Sequence, residues 1–313
     1  MHKHAVSYSK GAAKERIVQI VDSHHHLWDL ERNAYPWNKP EDHDRGWGDL
    51  SSLKRTFNVE HLRTEAAAAG LELLNSVHVQ ANWDPADPVG ETRWLAEVAA
   101  NTGLPGGIVA FADLSAENAR DVIAAHCAFD GVRGIRQVLN RHEDPRLNRA
   151  ARDYLADSQW RRGFAALADH GLSFDAQIYH QQAKALADLA HAHPETTIIL
   201  DHALMPAERD EANLAGWREA VARLSDCPNT VMKISGFGMV DNRWTVDSIR
   251  PFVAHCLDRF GPERAMFGSN FPVDRLMADY GRIWSAFDTL TADMGEDARD
   301  ALFCGTATRV YRL

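Results

Sequence analysis

The stretch Val21-Asp22-Ser23-His24-His25-His26-Leu27-Trp28-Asp29 follows an apolar run, Ile17 to Val21, that only Gln19 interrupts. Such a run reads as a buried strand, along which side chains alternate between the two faces. His24 and His26 therefore share one face at the strand's C-terminal end, and His25 points the other way. Two imidazoles placed like this can grip one metal ion or one anionic substrate group. The remaining chain reads as a scaffold that brings further polar groups to the same point.

Immediately downstream, the segment from Leu30 to Phe57 has neither a helical nor a strand period and is rich in Trp, Pro, Asp and Gly, as in Tyr35-Pro36-Trp37 and Trp47-Gly48-Asp49. A loop of that length inside a compact domain is usually functional, so a lid or pocket wall is expected there. Beyond it the pattern becomes regular. Strands are expected at 73–80, 107–114, 132–139, 172–179, 196–203, 230–236 and 264–271, in addition to the one from Ile17. Helices are expected at 59–69, 91–101, 116–128 (with Ser115 as N-cap), 149–170 (as one or two helices), 181–193, 207–224 and 246–260, with one or two more ending the chain. Strict strand–helix alternation implies parallel strands with crossover helices. Eight such units in about 300 residues predict a single (β/α)8 TIM barrel over residues 17–313, behind a flexible arm at 1–16. No Gly-x-Gly-x-x-Gly or Gly-x-x-x-x-Gly-Lys stretch follows a strand, which removes the main support for dinucleotide or P-loop binding.

Composition narrows the function classes. The chain has 313 residues, 45% of them hydrophobic and 25% charged, as in an ordinary globular protein. A net charge of −10 argues against nucleic-acid or anionic-membrane partners. Cys127, Cys227, Cys256 and Cys304 lie far apart and suggest neither a zinc knuckle nor a disulfide framework. The polar N-terminus lacks a secretory h-region and no stretch is apolar enough to span a membrane, so a cytoplasmic location is expected. The expected partner is a small-molecule substrate, and a homo-oligomer is left open.

In a barrel of this kind the active site lies at the C-terminal ends of the strands. Those ends offer His24 and His26, then His78 and Gln80, Asp113, Arg133 with Arg136 and Gln137, Gln177 with Tyr179, Asp201-His202, Lys233 with Ser235, and Ser269-Asn270 with Asp274 just beyond. Apolar strands ending in polar groups around one rim are hard to explain by stability alone, because burying polar groups is costly. Arginine suits a carboxylate through paired hydrogen bonds, so at least one of Arg133 and Arg136 is expected to touch substrate. Lys233 reads equally well as the structural partner of a barrel carboxylate. Asp22 is expected to orient the turn after the first strand or a neighbouring imidazole, and His78 is as readily packed as functional.

The motifs Val-Asp-Ser-His-His-His-Leu-Trp-Asp, Tyr-Pro-Trp, Gly-Ile-Arg-Gln, Leu-Asp-His and Met-Phe-Gly-Ser-Asn-Phe-Pro-Val-Asp together resemble the amidohydrolase superfamily. The branch they are most similar to is the lactonase group that includes 2-pyrone-4,6-dicarboxylate, L-fucono- and L-rhamnono-lactonases. The resemblance implies that His24, His26 and His202 are a histidine set able to hold one divalent ion, zinc or manganese. It implies that Arg133 and Arg136 lie near substrate carboxylates and that Gln177 and Tyr179 are the polar residues ending strand five, which with His78 are the expected substrate contacts. The strand-four stretch Arg133-Gly-Ile-Arg136 leaves no lysine to carbamylate, so one metal or none fits better than two. The departure is Asn270, where the superfamily usually has the aspartate that serves as general base. An amide cannot take up a proton near neutral pH. The expected activity is opening of a small, oxygen-rich, carboxylated lactone or related ester by water, with His24, His26, His202 and Asn270 at the reacting centre. A metal-free version of the same hydrolysis, a metal-dependent decarboxylase of the same superfamily and a catalytically weakened binding barrel are the alternatives.

Overall fold

The structure is a computed structural model that describes residues 18–38 and 49–313. The N-terminal arm, Ile17 and the Trp47-Gly48 part of the long loop lie outside the described residues. Eight strands form one sheet in chain order, every ladder parallel. They are β1 (Val18–His25), β2 (Leu71–Val79), β3 (Gly107–Ala110), β4 (Val132–Arg136), β5 (Ser173–Ala176), β6 (Ile198–Leu200), β7 (Thr230–Ile234) and β8 (Ala265–Phe267). Around them lie helices α1 (Val59–Ala68), α2 (Gly90–Thr102), α3 (Ala119–His126), α4 (Ser158–Ala165), α5 (Ala183–Ala192), α6 (Glu211–Ser225), α7 (Val246–Phe260) and α8 (Tyr280–Leu290). Two short helices, α9 (Glu296–Asp300) and α10 (Thr306–Tyr311), finish the chain. This is the (β/α)8 barrel that the alternation predicts.

The hydrophobic effect divides the core by strand face. One apolar cluster, including Phe174, Leu200, Met232 and Phe267, packs the strands against the helices. A smaller one gathers Val21, Val77, Val109, Ile199, Val231 and Met266 with Ala307 and Tyr311 of α10. The same alternation turns Ile135 into the helix-facing cluster and Arg136 to the opposite face.

The seam between β1 and β8 closes through the histidine stretch itself. Asn270 N donates to His24 O and His26 N to Phe271 O, both at 2.7 Å. Ser23 Oγ donates to Phe267 O, also at 2.7 Å. Asp22 completes the seam, its carboxylate accepting from Ser269 N (2.9 Å), Ser269 Oγ (2.6 Å) and Tyr280 OH (3.0 Å). Burial pushes this carboxyl up to about 6 even though those donors pull it down.

Several boundaries differ from expectation. Strand pairing stops earlier than the apolar runs do, most clearly at Ala110, Leu200 and Phe267, where the chain peels off toward the site. Ser115 does not cap α3; its hydroxyl and amide bond Asp113, and the helix begins at Ala119. The long helix expected over 149–170 shrinks to α4, because Asp157 accepts from Gln159 N and Trp160 N and so starts the helix late. The segment before it is tied to Asn140, whose carbonyl accepts from Arg149 N and Ala150 N. All four cysteines are free, as their spacing suggests.

Candidate active site

Three imidazoles converge at the top of the barrel. The His24 ring centroid lies 5.2 Å from that of His26 and 4.5 Å from that of His202. His26 Nδ1 is 2.6 Å from Val79 O; a carbonyl can only accept, so this nitrogen carries the proton and Nε2 keeps its lone pair. His202 Nδ1 pairs with Ser235 Oγ at 2.9 Å. Burial, with the nearby cations Lys233 and Arg136, holds His24 and His26 well below the usual imidazole range and brings His202 down to about 3. All three rings are therefore neutral near pH 7.

His202 reaches this position through an unusual backbone. His202, Ala203, Leu204 and Met205 have φ of +56°, +50°, +58° and +45° in succession, although none is glycine. A left-handed residue with a side chain costs roughly 1–2 kcal/mol, so the surrounding structure must hold the turn in place. Trp217 Nε1 does part of this by donating to Ala203 O at 2.8 Å. Gly236 allows the close approach of β7, since a Cβ there would stand 2.4 Å from His202 Nδ1. Gly268 serves His24 in the same way, because a Cβ would meet the His24 Cβ at 2.8 Å.

Beside the imidazoles lies a buried charge cluster. Asp201 Oδ1 is 3.4 Å from His24 Nδ1 and 3.4 Å from Lys233 Nζ, and its Oδ2 is 3.9 Å from Arg136 Nη1. Burial alone would raise the Asp201 carboxyl, but Lys233 and His24 override it and hold the group well below the usual range. One nitrogen from each of His24 and His202 and one oxygen from Asp201 all lie within 4.8 Å of one another. Both His24 nitrogens and both Asp201 oxygens are buried without a hydrogen-bond partner. Unsatisfied buried acceptors converging on one point fit a cation, so this trio suits a divalent ion. The sequence pairs His26 with His24 as the gripping set, whereas the atoms that cluster in space come from His24, Asp201 and His202.

A cavity of about 1120 Å³ opens above this floor, and His26, Arg136, Gln177, Tyr179, His202 and Asn270 all line it. Trp28 walls it together with Pro36, Trp37, Leu50 and Leu53 of the long loop. Trp28 Nε1 donates to Arg55 O and Trp37 Nε1 to Ala81 O, which anchors the described parts of that wall. Arg136 Nη2 donates to Gln80 O (2.7 Å) and Nη1 to Gln177 Oε1 (3.3 Å), while Nε has no partner. Tyr179 OH donates to Leu147 O at 2.9 Å.

Two expected residues sit elsewhere. Arg133 is turned away from the cavity, and its guanidinium bonds the carbonyls of Asp130, Val132 and Arg312. His78 lies behind β1, accepting from Leu27 N at 3.0 Å through Nδ1 and facing Glu91 Oε1 at 3.4 Å through Nε2. It supports the turn after His26 and does not line the cavity. Lys233 is the structural partner of a barrel carboxylate, with Nζ 2.6 Å from Asp175 Oδ2.

Comparisons with known proteins identify relatives of the chain. The family described as amidohydrolase matches residues 21–313. An uncharacterised protein, y4mH, of Sinorhizobium fredii is 39% identical over 95% of this chain and 99% of its own length. An L-fucono-1,5-lactonase of Burkholderia ambifaria is 30% identical over 94% of this chain and 95% of its own. A crystal structure of a Burkholderia multivorans amidohydrolase with bound zinc is similar at TM-score 0.77 and 28% identity, covering 95% of this chain and 100% of that one. The chain belongs to the amidohydrolase family, and its motifs' resemblance to the lactonase branch is borne out. Among the described residues, no helix is long and apolar enough to cross a membrane.

Proposed function

We propose that this protein hydrolyses a small, oxygen-rich, carboxylated lactone, opening the ring by water attack on its ester carbonyl. The observation that carries the reading is the convergence of His24, His202 and Asp201 beside the Arg136 guanidinium, with His202 and Arg136 lining the cavity. Arg136 anchors the substrate's anionic group, which meets its unpartnered Nε–H and relieves a buried donor. Gln177 and Tyr179 hydrogen-bond the ring oxygens from the side of β5. The attacking water donates to an imidazole lone pair and to the amide oxygen of Asn270. Without the ion, His24 takes the water's proton, the Asp201 carboxylate 3.4 Å from its Nδ1 stabilises the imidazolium, and the proton passes to the ring oxygen as the C–O bond breaks. A lactone suits a site that lacks the usual strand-eight carboxylate, because its carbonyl is more electrophilic than an amide's. His24, His202 and Asp201 would hold the divalent ion, zinc or manganese, which when bound polarises the carbonyl and acidifies water.

The lactonase relatives support the substrate class, and the zinc in the Burkholderia multivorans structure supports the ion. A panel of sugar-acid, pyrone and muconate-type lactones, assayed by proton release before and after chelation, tests both. Acid released from at least one carboxylated lactone, and lost in His24→Ala, is the expected result. No release from any of them would overturn the assignment.

A further inference from the structure

We propose that Lys233 limits how tightly the His24–Asp201–His202 seat holds a divalent cation, by engaging the one carboxylate the cation needs. The inference rests on the metal-binding reading above and concerns its strength. Lys233 is fully buried, with Nζ 2.6 Å from Asp175 Oδ2, 2.7 Å from Tyr311 OH and 3.4 Å from Asp201 Oδ1. Tyr311 OH in turn donates to Asp175 Oδ2 at 2.8 Å, so the last helix pins the ammonium from the opposite end of the barrel. An ammonium held by three oxygens away from solvent cannot swing aside when another cation arrives.

The charge count explains the consequence. Asp175 and Asp201 supply two negative charges, and Lys233 and Arg136 supply two positive ones within 4 Å of those carboxylates. Each carboxylate thus already faces a cation of its own within 4 Å. A divalent ion would enter with no unmatched negative charge to meet it, next to an ammonium that buried surroundings screen poorly. Two imidazoles and one shared carboxylate form a geometric seat, but an electrostatically reluctant one. The ion should therefore be weakly held and readily exchanged, and it should bind better in company with an anion that brings the missing charge.

Calorimetric titration of the chelator-stripped full chain with zinc and manganese chlorides tests this, with circular dichroism to confirm folding. Lys233→Met should bind either ion at least about tenfold more tightly than the natural chain, because Asp201 is released to it. Because that variant leaves Asp175 without its cation, Lys233→Gln, whose neutral amide can still donate to Asp175, is the second form; it should also bind more tightly. Arg120→Gln, a surface change of the same charge, should leave affinity unaltered, and His24→Ala should remove the binding. Unchanged affinity in the folded Lys233 variants overturns the proposal while leaving the metal reading intact. Absence of any His24-dependent binding in every form overturns both, and the lactone assay without metal would then still judge the hydrolase reading separately.

Discussion

Asp274 Oδ1 accepts a hydrogen from Asn270 Nδ2 at 2.9 Å, and this bond decides which end of the amide looks into the cavity. With the NH2 group turned back to a buried carboxylate, the amide oxygen is left as the acceptor facing substrate. Burial pushes the Asp274 carboxyl up to about 7, against the pull of Asn270 and of the Gly238 backbone. Asp274 borders a small void whose other lining side chains, Phe237, Trp244, Ile249, Ile283 and Phe287, are uncharged.

Lactone hydrolysis should accordingly rise as pH passes through about 7, where Asp274 ionises and fixes the amide. Asp274→Asn should flatten that limb of the kcat/KM profile. The sign for stability runs the other way. A carboxyl raised in the folded state contributes stability below its unfolded value, and that contribution is lost as pH rises through about 7. Urea midpoints should fall less steeply between about pH 4 and 7 in Asp274→Asn than in the natural chain. Parallel slopes would contradict this.

Restoring the superfamily's aspartate alone should not improve the enzyme. Asn270→Asp would set two carboxylates against each other where a 2.9 Å hydrogen bond now lies, and both could not ionise. Asn270→Asp combined with Asp274→Asn removes the conflict, and its turnover should exceed that of Asn270→Asp by about tenfold or more.

Arg136 and Arg133 should separate cleanly. Arg136→Gln should raise KM for a carboxylated lactone by about tenfold or more, since a buried charged hydrogen bond is worth roughly 1.5–3 kcal/mol. Arg133→Gln, whose guanidinium bonds only backbone carbonyls, should leave KM unchanged.

His24→Ala and His202→Ala should each lower kcat by about 10²–10⁴ with an unchanged far-ultraviolet dichroism spectrum. His26→Ala should have a smaller effect, because His26 lines the cavity but stands outside the converging ligand trio.

Gly268→Ala tests the close packing beneath His24. A methyl 2.8 Å from the His24 Cβ and 2.9 Å from its backbone nitrogen has no room, so stability should drop by about 1–3 kcal/mol with a matching fall in Tm.

The strand–helix alternation and the motif-bearing strand ends were legible in the sequence because burial imposes a period. His24, His26, His202, Arg136, Gln177, Tyr179 and Asn270 could all be found that way. Parity along β4 could not be assigned without a fixed register, so Arg133 and Arg136 looked equivalent. The left-handed run from His202 to Met205 was invisible, because no glycine marks it. The role of Asp201 was hidden for the same reason: only that turn brings its carboxylate beside His24 while His202 faces the cavity. The Asn270–Asp274 bond left a faint trace, a spacing of four residues across a proline, that acquires meaning only once the turn is seen.

The bonds that shut the barrel run from the backbone of His24 and His26 to Asn270 and Phe271, so the same few residues fasten the cylinder and face the reactant. Fraying at that junction would scatter the imidazoles before any helix melts. Turnover should thus vanish at lower denaturant than helical signal does, making an activity assay the earliest alarm of unfolding.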